Sequence, residues 1–182
     1  FFFFLKNEWQ VSTLASTWQG HAHAASARVT ASMKIPVGAS RDKFVAEGRQ
    51  SVQEIETVVQ SIDKLKLHEE LSKRVQAAKR ARQEFDLIAA RLENLKITGE
   101  YLAIESLLNE EYEYARIAYL NQIDELRNAA SQSAQKSIAE TQSTAERSAW
   151  LAAVWLGLAV VVASLAAWFL ARSITRPMTG LI

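Results

Sequence analysis

Apolar positions recur along most of this chain at helical spacing. In the middle, Phe44, Gly48, Val52, Ile55, Val59 and Ile62 step by 4, 4, 3, 4 and 3. Ala78, Ala81, Phe85, Ile88, Leu92 and Leu95 then alternate steps of 3 and 4. Such narrow stripes pack in antiparallel helix bundles. Strand-like alternation is absent, and the sequence holds only two prolines and six glycines. Near the N-terminus two stripes compete. Val11, Leu14, Trp18, His21, Ala25 and Arg28 form one, which puts Arg28 in a seam. Leu14, Trp18, Ala22, Ala25 and Val29 form the other, which puts Arg28 on a flank, solvated or ion-paired.

Breakers divide the pattern. Ile35-Pro36-Val37-Gly38 ends a first helix of about residues 6–34, and Ser40 is a fair N-cap for a second, with Asp42 in its first turn. Thr98-Gly99 ends a third. An unbroken helix from 40 to 97 would be roughly 87 Å long, so a turn is placed near Asp63 to Leu67. The fourth helix runs from about Glu100 to Arg147 without a stop signal.

It meets a different pattern there. Residues 148–171 are 24 positions without a charge. A helix of that length spans roughly 36 Å, against a hydrocarbon core of about 30 Å. Trp150 and Trp168 lie 18 residues apart, roughly 27 Å, which suits rings at the two headgroup levels. Ala159, Ala163, Ala167 and Ala171 form a small-residue ladder along one face. The segment reads as a transmembrane helix. Arg172 and Arg176 follow it, and that bias places the C-terminal side in the cytoplasm. Phe1-Phe-Phe-Phe-Leu5 is too short to cross and reads as the remnant of a first span.

The expected fold is therefore all-α: an antiparallel up-down four-helix bundle whose last helix continues into a transmembrane helix. Four segments result: 1–5, the remnant of a first span; 6–147, an extracytoplasmic four-helix-bundle domain; 148–171, the membrane helix; and 172–182, a linker start. Helix and span together make a rod of some 72 residues, roughly 108 Å.

Composition removes several function classes. The 182 residues carry a formal net charge of +1, which argues against nucleic acid as a partner. There is no cysteine, so neither a disulfide nor a thiol site. His21 and His23, two apart, point about 200° away from each other on a helix and cannot share one metal. No glycine-rich phosphate loop or ordered Ser/His/acid set occurs, so no catalytic residue, cofactor or metal is assigned. Lys73, Arg74, Lys79, Arg80 and Arg82 stand apart from Glu100, Glu105, Glu110, Glu111 and Glu113, which reads as complementary solvated faces on neighbouring helices.

Arg172-Ser-Ile-Thr-Arg-Pro177 resembles the opening of a HAMP domain, with its proline at this place. A four-helix bundle ahead of such a span resembles the ligand-binding domain of methyl-accepting chemotaxis receptors. The resemblance implies a homodimer in a bacterial inner membrane, with a periplasmic sensor domain. A small molecule, with a carboxylate among the candidates, would bind there. A helix displacement would pass through HAMP to a cytoplasmic kinase and adaptor. Arg172 and Pro177 would lie on the transmission path, and Trp150, Trp168 and Phe169 would anchor the span at the interfaces. A membrane histidine kinase or diguanylate cyclase carries similar input parts, and the continuation of the reading frame distinguishes these outputs.

The same resemblance implies ligand contacts. Thr98-Gly-Glu-Tyr-Leu-Ala103, followed by Ser106, resembles the segment that opens the fourth helix of the aspartate and serine chemoreceptors. Carried over by position, Tyr101, Leu102 and Ile104 supply backbone carbonyls and Ser106 stands where a threonine hydroxyl would. Of three arginines that grip a carboxylate in those receptors, Arg28 alone is matched; Ala24 and Gln19 hold the other positions. One arginine can still pair bidentately with a carboxylate.

Overall fold

The structure, a computed structural model, describes residues 2–36 and 38–175, with side-chain surroundings for 7–36, 38–139, 150, 151 and 153–168. Helices account for nearly all of it: α1 (Phe2–Lys34), α2 (Ala39–Asp63), α3 (Glu69–Thr98), α4 (Tyr101–Leu107) and α5 (Glu113–Thr175), with a π-helical turn at Leu108–Tyr112 between the last two. No strand occurs among the described residues. The fold is all-α, as the stripes require.

Each connection has a local cause. Gly38 has φ of +153°, in a region open essentially to glycine, and α2 starts directly after it. The Asp42 N–H bonds the Gly38 carbonyl at 3.0 Å, so Ser40 lies inside the first turn rather than capping it. The turn expected near 63–67 is present, since α2 ends at Asp63 and α3 begins at Glu69. His68 caps α3, its Nδ1 accepting from the Leu71 N–H at 3.4 Å, with Glu69 and Glu70 favourably placed in the first turn. Gly99, with φ of +79°, provides the left-handed residue that ends α3, and the Glu100 N–H bonds Leu95 O at 3.0 Å.

The π turn was not foreseen. Its reason lies in the spacing of the buried residues Ile104, Leu107, Tyr112, Ala115, Tyr119, Ile123 and Leu126. All steps are 3 or 4 except the 5 between Leu107 and Tyr112. One extra residue in a wider turn keeps both stretches facing the core.

The chain divides into two compact units, Phe1–Lys136 and Ser137–Ile182. In the first, one core draws Val11, Ala15, Trp18 and Ala22 from α1, Ile55, Val59 and Ile62 from α2, and Leu71, Val75, Phe85 and Leu92 from α3. Tyr112, Tyr119, Ile123 and Leu126 complete it. The stripe of α2 is shifted slightly, because Val58 is buried and Val52 is exposed. On α1 the stripe through Ala22 is the buried one, and Arg28 stands on its flank.

Polar contacts record the register. Arg28 pairs with Glu47 at 3.2 Å and His21 with Glu54 at 2.8 Å between α1 and α2. Arg41–Glu93 (2.6 Å), Arg82–Glu56 (3.0 Å) and Lys79–Asp63 (2.6 Å) join α2 to α3. Arg74–Glu125 (2.6 Å) and Arg91–Glu111 (2.8 Å) link α3 to α5 and the π turn. Trp18 meets Tyr119, Ser26 meets Tyr112, and Glu8 meets Ser133. In each set residue numbers rise on one side as they fall on the other, so these neighbours run in opposite directions. The basic residues of α3 thus divide between α2 and α5 instead of facing the acidic start of the fourth segment as a block. Lys73 pairs within its own helix, with Glu69.

In the second unit the helix continues to Thr175, with Trp150, Leu151, Trp155, Leu156 and Val160 exposed. Side chains are described there without interruption over 153–168. Among the described residues no helix is long and apolar enough to cross a membrane.

Candidate functional site

A cavity of about 430 Å³ opens among α1, α2 and α3. Its size falls within the range of small-molecule sites. Ala25, Ser32, Met33, Gly48 and Phe85, all buried, form its floor. Val29, Phe44, Val45 and Ala89 make the walls, and Arg49, Val52 and Gln53 stand exposed at the rim. Gly48 explains part of the space: it lies within a helix that would favour alanine, and a Cβ there would approach nothing nearer than Arg28 Cβ at 3.8 Å.

Charges around the cavity are mostly matched. Arg28 donates from Nε to Glu47 at 3.2 Å and from Nη1 to Ser51 Oγ at 2.7 Å. Glu93 accepts from Arg41 Nη2 at 2.6 Å, while Arg41 Nε, also buried, has no hydrogen-bond partner. Arg49 has no ion-pair or hydrogen-bond partner among the described residues, so the rim carries an unmatched positive charge.

The floor is continuous with the aromatic core. Phe85 stacks on Tyr119 with ring centroids 5.5 Å apart and lies 5.2 Å from Tyr112. Trp18 Nε1 donates to Tyr119 Oη at 2.5 Å, and Tyr112 Oη donates to Ser26 O at 3.0 Å. Burial pushes the Tyr112 phenol up to about 12 and raises that of Tyr119 further still. Both tyrosines are therefore neutral donors or acceptors at physiological pH. Burial also raises the Asp86 carboxyl, against the opposing pull of Arg82. On the opposite flank, hydrogen bonding to Arg116 holds Glu113 below the usual carboxylate range.

Arg28 lines the cavity, but Tyr101, Leu102, Ile104 and Ser106 do not. Leu102 is 87% exposed, and Tyr101 and Ser106 also face outward, while Ile104 is 5% exposed and packs in the core. Lys96 Nζ sits 5.1 Å from the centroid of the Tyr101 ring and donates to Met33 O at 2.8 Å. Trp150 and Trp168 are exposed. Phe169 and Arg172 are described in backbone only, as part of the helix, and Pro177 lies outside the described residues. His23 is exposed, and among the described residues no group of three or more His, Asp or Glu side chains is placed to hold a metal.

Phe85 and Met33 carry no mark of a site in the sequence, because an apolar cavity lining has the same spacing as a core, and Arg49 is one exposed cation among many. Gly48 was the available signal, since a glycine on a buried helix stripe removes volume at the cost of helix propensity. No family model and no curated protein matches the chain.

Proposed function

We propose that the chain is the input portion of a transmembrane chemoreceptor of the methyl-accepting type. In this reading α1, α2 and α3, with α4, the π turn and the start of α5 as the fourth helix, form an antiparallel up-down four-helix bundle outside the cytoplasm. Residues 148–171 cross the bacterial inner membrane, Trp150, Trp168 and Phe169 anchor that span, and Arg172 to Pro177 opens HAMP. Two copies pack side by side, and a small ligand bound by the bundle changes the position of the fourth helix relative to the bilayer. HAMP then passes the change to a kinase and its adaptor. The protein acts without catalysis.

One observation carries this reading. Residues Glu113–Thr175 are helical throughout, and this one element holds both core residues such as Tyr119 and Leu126 and the charge-free run that meets Arg-Ser-Ile-Thr-Arg-Pro. A helix transmits displacement along its axis only while its hydrogen bonds are unbroken. The test is a chimera in which residues 1–171 precede the HAMP-to-tip portion of an aspartate chemoreceptor, with kinase activity as the output. A ligand that binds the chimera should alter kinase activity, and a Gly-Gly-Pro insertion after Ala139 should abolish the response while leaving binding intact. A response that survives the insertion would overturn the reading.

A further inference from the structure

We propose that the cavity among α1, α2 and α3 is a binding site for small aromatic monocarboxylates. Three properties of the site select this class. Its floor and walls are mainly apolar, with Phe44 in a wall and Phe85 in the floor to meet a flat apolar body, while Arg28 and Glu93 are already held by Glu47 and Arg41. A volume of about 430 Å³ is that of a small-molecule site. It accommodates one substituted ring and a short chain. The third property is charge. Arg28 is matched by Glu47, and Glu93 by Arg41, whereas Arg49 at the rim is unmatched. A ligand with its ring toward Phe85 and its carboxylate at the rim gains a charge-assisted hydrogen bond from Arg49. It displaces no existing ion pair. A dicarboxylate would have to bury its second charge where the lining's other cation, Arg28, is already held by Glu47 and Ser51, which is unfavourable.

The site also has a route to the fourth helix. A ring resting on Phe85 presses a side chain that touches Tyr112 in the π turn and Tyr119 on α5. Repacking there shifts the segment that the sensor reading assigns to transmission. The inference deepens that reading by naming a ligand class, but binding itself is independent of any output. A chain that binds without signalling sinks the sensor reading alone, and one that signals without binding these acids sinks the site alone.

The test is isothermal calorimetry on the full 182-residue chain in detergent micelles, with 3-phenylpropionate, 3-phenylpropanol and succinate as probes. The acid should bind with Kd of about 1 mM or tighter, the alcohol about tenfold more weakly, and succinate not measurably. Arg49→Gln should reduce acid affinity about tenfold and leave the alcohol unchanged. Gly48→Leu should fill the cavity and abolish both, with helicity retained. Val52→Trp, at the exposed rim, supplies a second blocking variant that leaves the core untouched. Absence of acid binding to the unmodified chain would overturn the proposal. So would binding that persists in both folded blocking variants, or succinate binding more tightly than phenylpropionate.

Discussion

Replacing Tyr119 by Phe removes one oxygen and almost no volume, so its cost isolates a single polar contact. Trp18 and Tyr119 are 0% and 2% exposed, and the indole N–H donates to Tyr119 Oη at 2.5 Å. No other acceptor is bonded to that N–H. Its loss leaves a buried donor unsatisfied, which costs about 1–3 kcal/mol. Stacking on Phe85 survives, because the ring is retained. Tyr112→Phe is the internal control. Its Oη donates to Ser26 O, and that carbonyl keeps a second donor in Thr30 Oγ1 at 3.1 Å. Only a surplus hydrogen bond is lost there, worth about 0.5–1.5 kcal/mol. Thermal unfolding of the full chain in micelles, followed by circular dichroism, should therefore rank Tyr119→Phe clearly below Tyr112→Phe. At about 2–4 °C per kcal/mol for a chain of this size, the gap should be several degrees. Equal midpoints, or a Tyr119→Phe protein as stable as the parent, would refute the reasoning. In a double-mutant cycle with Trp18→Phe the two losses should fall short of additive, because the orphaned donor disappears with the acceptor.

Alkaline pH should destabilise the first unit. Because folding raises the Tyr112 phenol from 10.0 to about 12, its contribution is whole below pH 10 and is lost as pH rises through 12, by at most about 1.4 kcal/mol per pH unit. Tyr119 adds a loss in the same direction. Denaturant midpoints measured across that range should fall, and Tyr112→Phe should flatten the decline. Gly48 and Gly99 should respond oppositely to alanine. Gly48→Ala should stabilise by about 0.5–1 kcal/mol, since its Cβ finds only ordinary contact. Gly99→Ala should destabilise by about 1–2 kcal/mol, since φ is +79° at that cap. Urea titration of both variants checks the contrast.

The all-helical class, the turn after Asp63 and the stop at Gly99 were legible because each has a strong local cause: periodicity, a length limit, or a residue able to take positive φ. The π turn was written into the step of 5 between Leu107 and Tyr112, but that step gains meaning only once both residues are known to be buried. Ser40 has the chemistry of a cap, yet Gly38 starts the helix sooner because its backbone turns where a serine would be strained. Arg28 could sit in a seam or on a flank by spacing alone. Glu47 and Ser51, on a different helix, settle it on the flank, and a pairing across helices is not written in either stripe. The cavity was least visible for a related reason. Empty space is a property of three helices together, whereas a sequence displays one stripe at a time.

The proposed crossing of a bilayer by residues 148–171, as part of α5, can be tested by the depth of three tryptophans. In single-tryptophan variants of the chain, reconstituted in phosphatidylcholine vesicles, fluorescence would be quenched by lipids brominated at graded depths. A spanning helix places Trp150 and Trp168 at headgroup level and a tryptophan introduced by Ala159→Trp near the bilayer centre, roughly 13 Å deeper than either. A bilayer crossing requires shallow quenching for the first two and deep quenching for the third. Equal depth at all three positions, as in a helix lying along the surface, or ready quenching of all three by aqueous iodide, would contradict it.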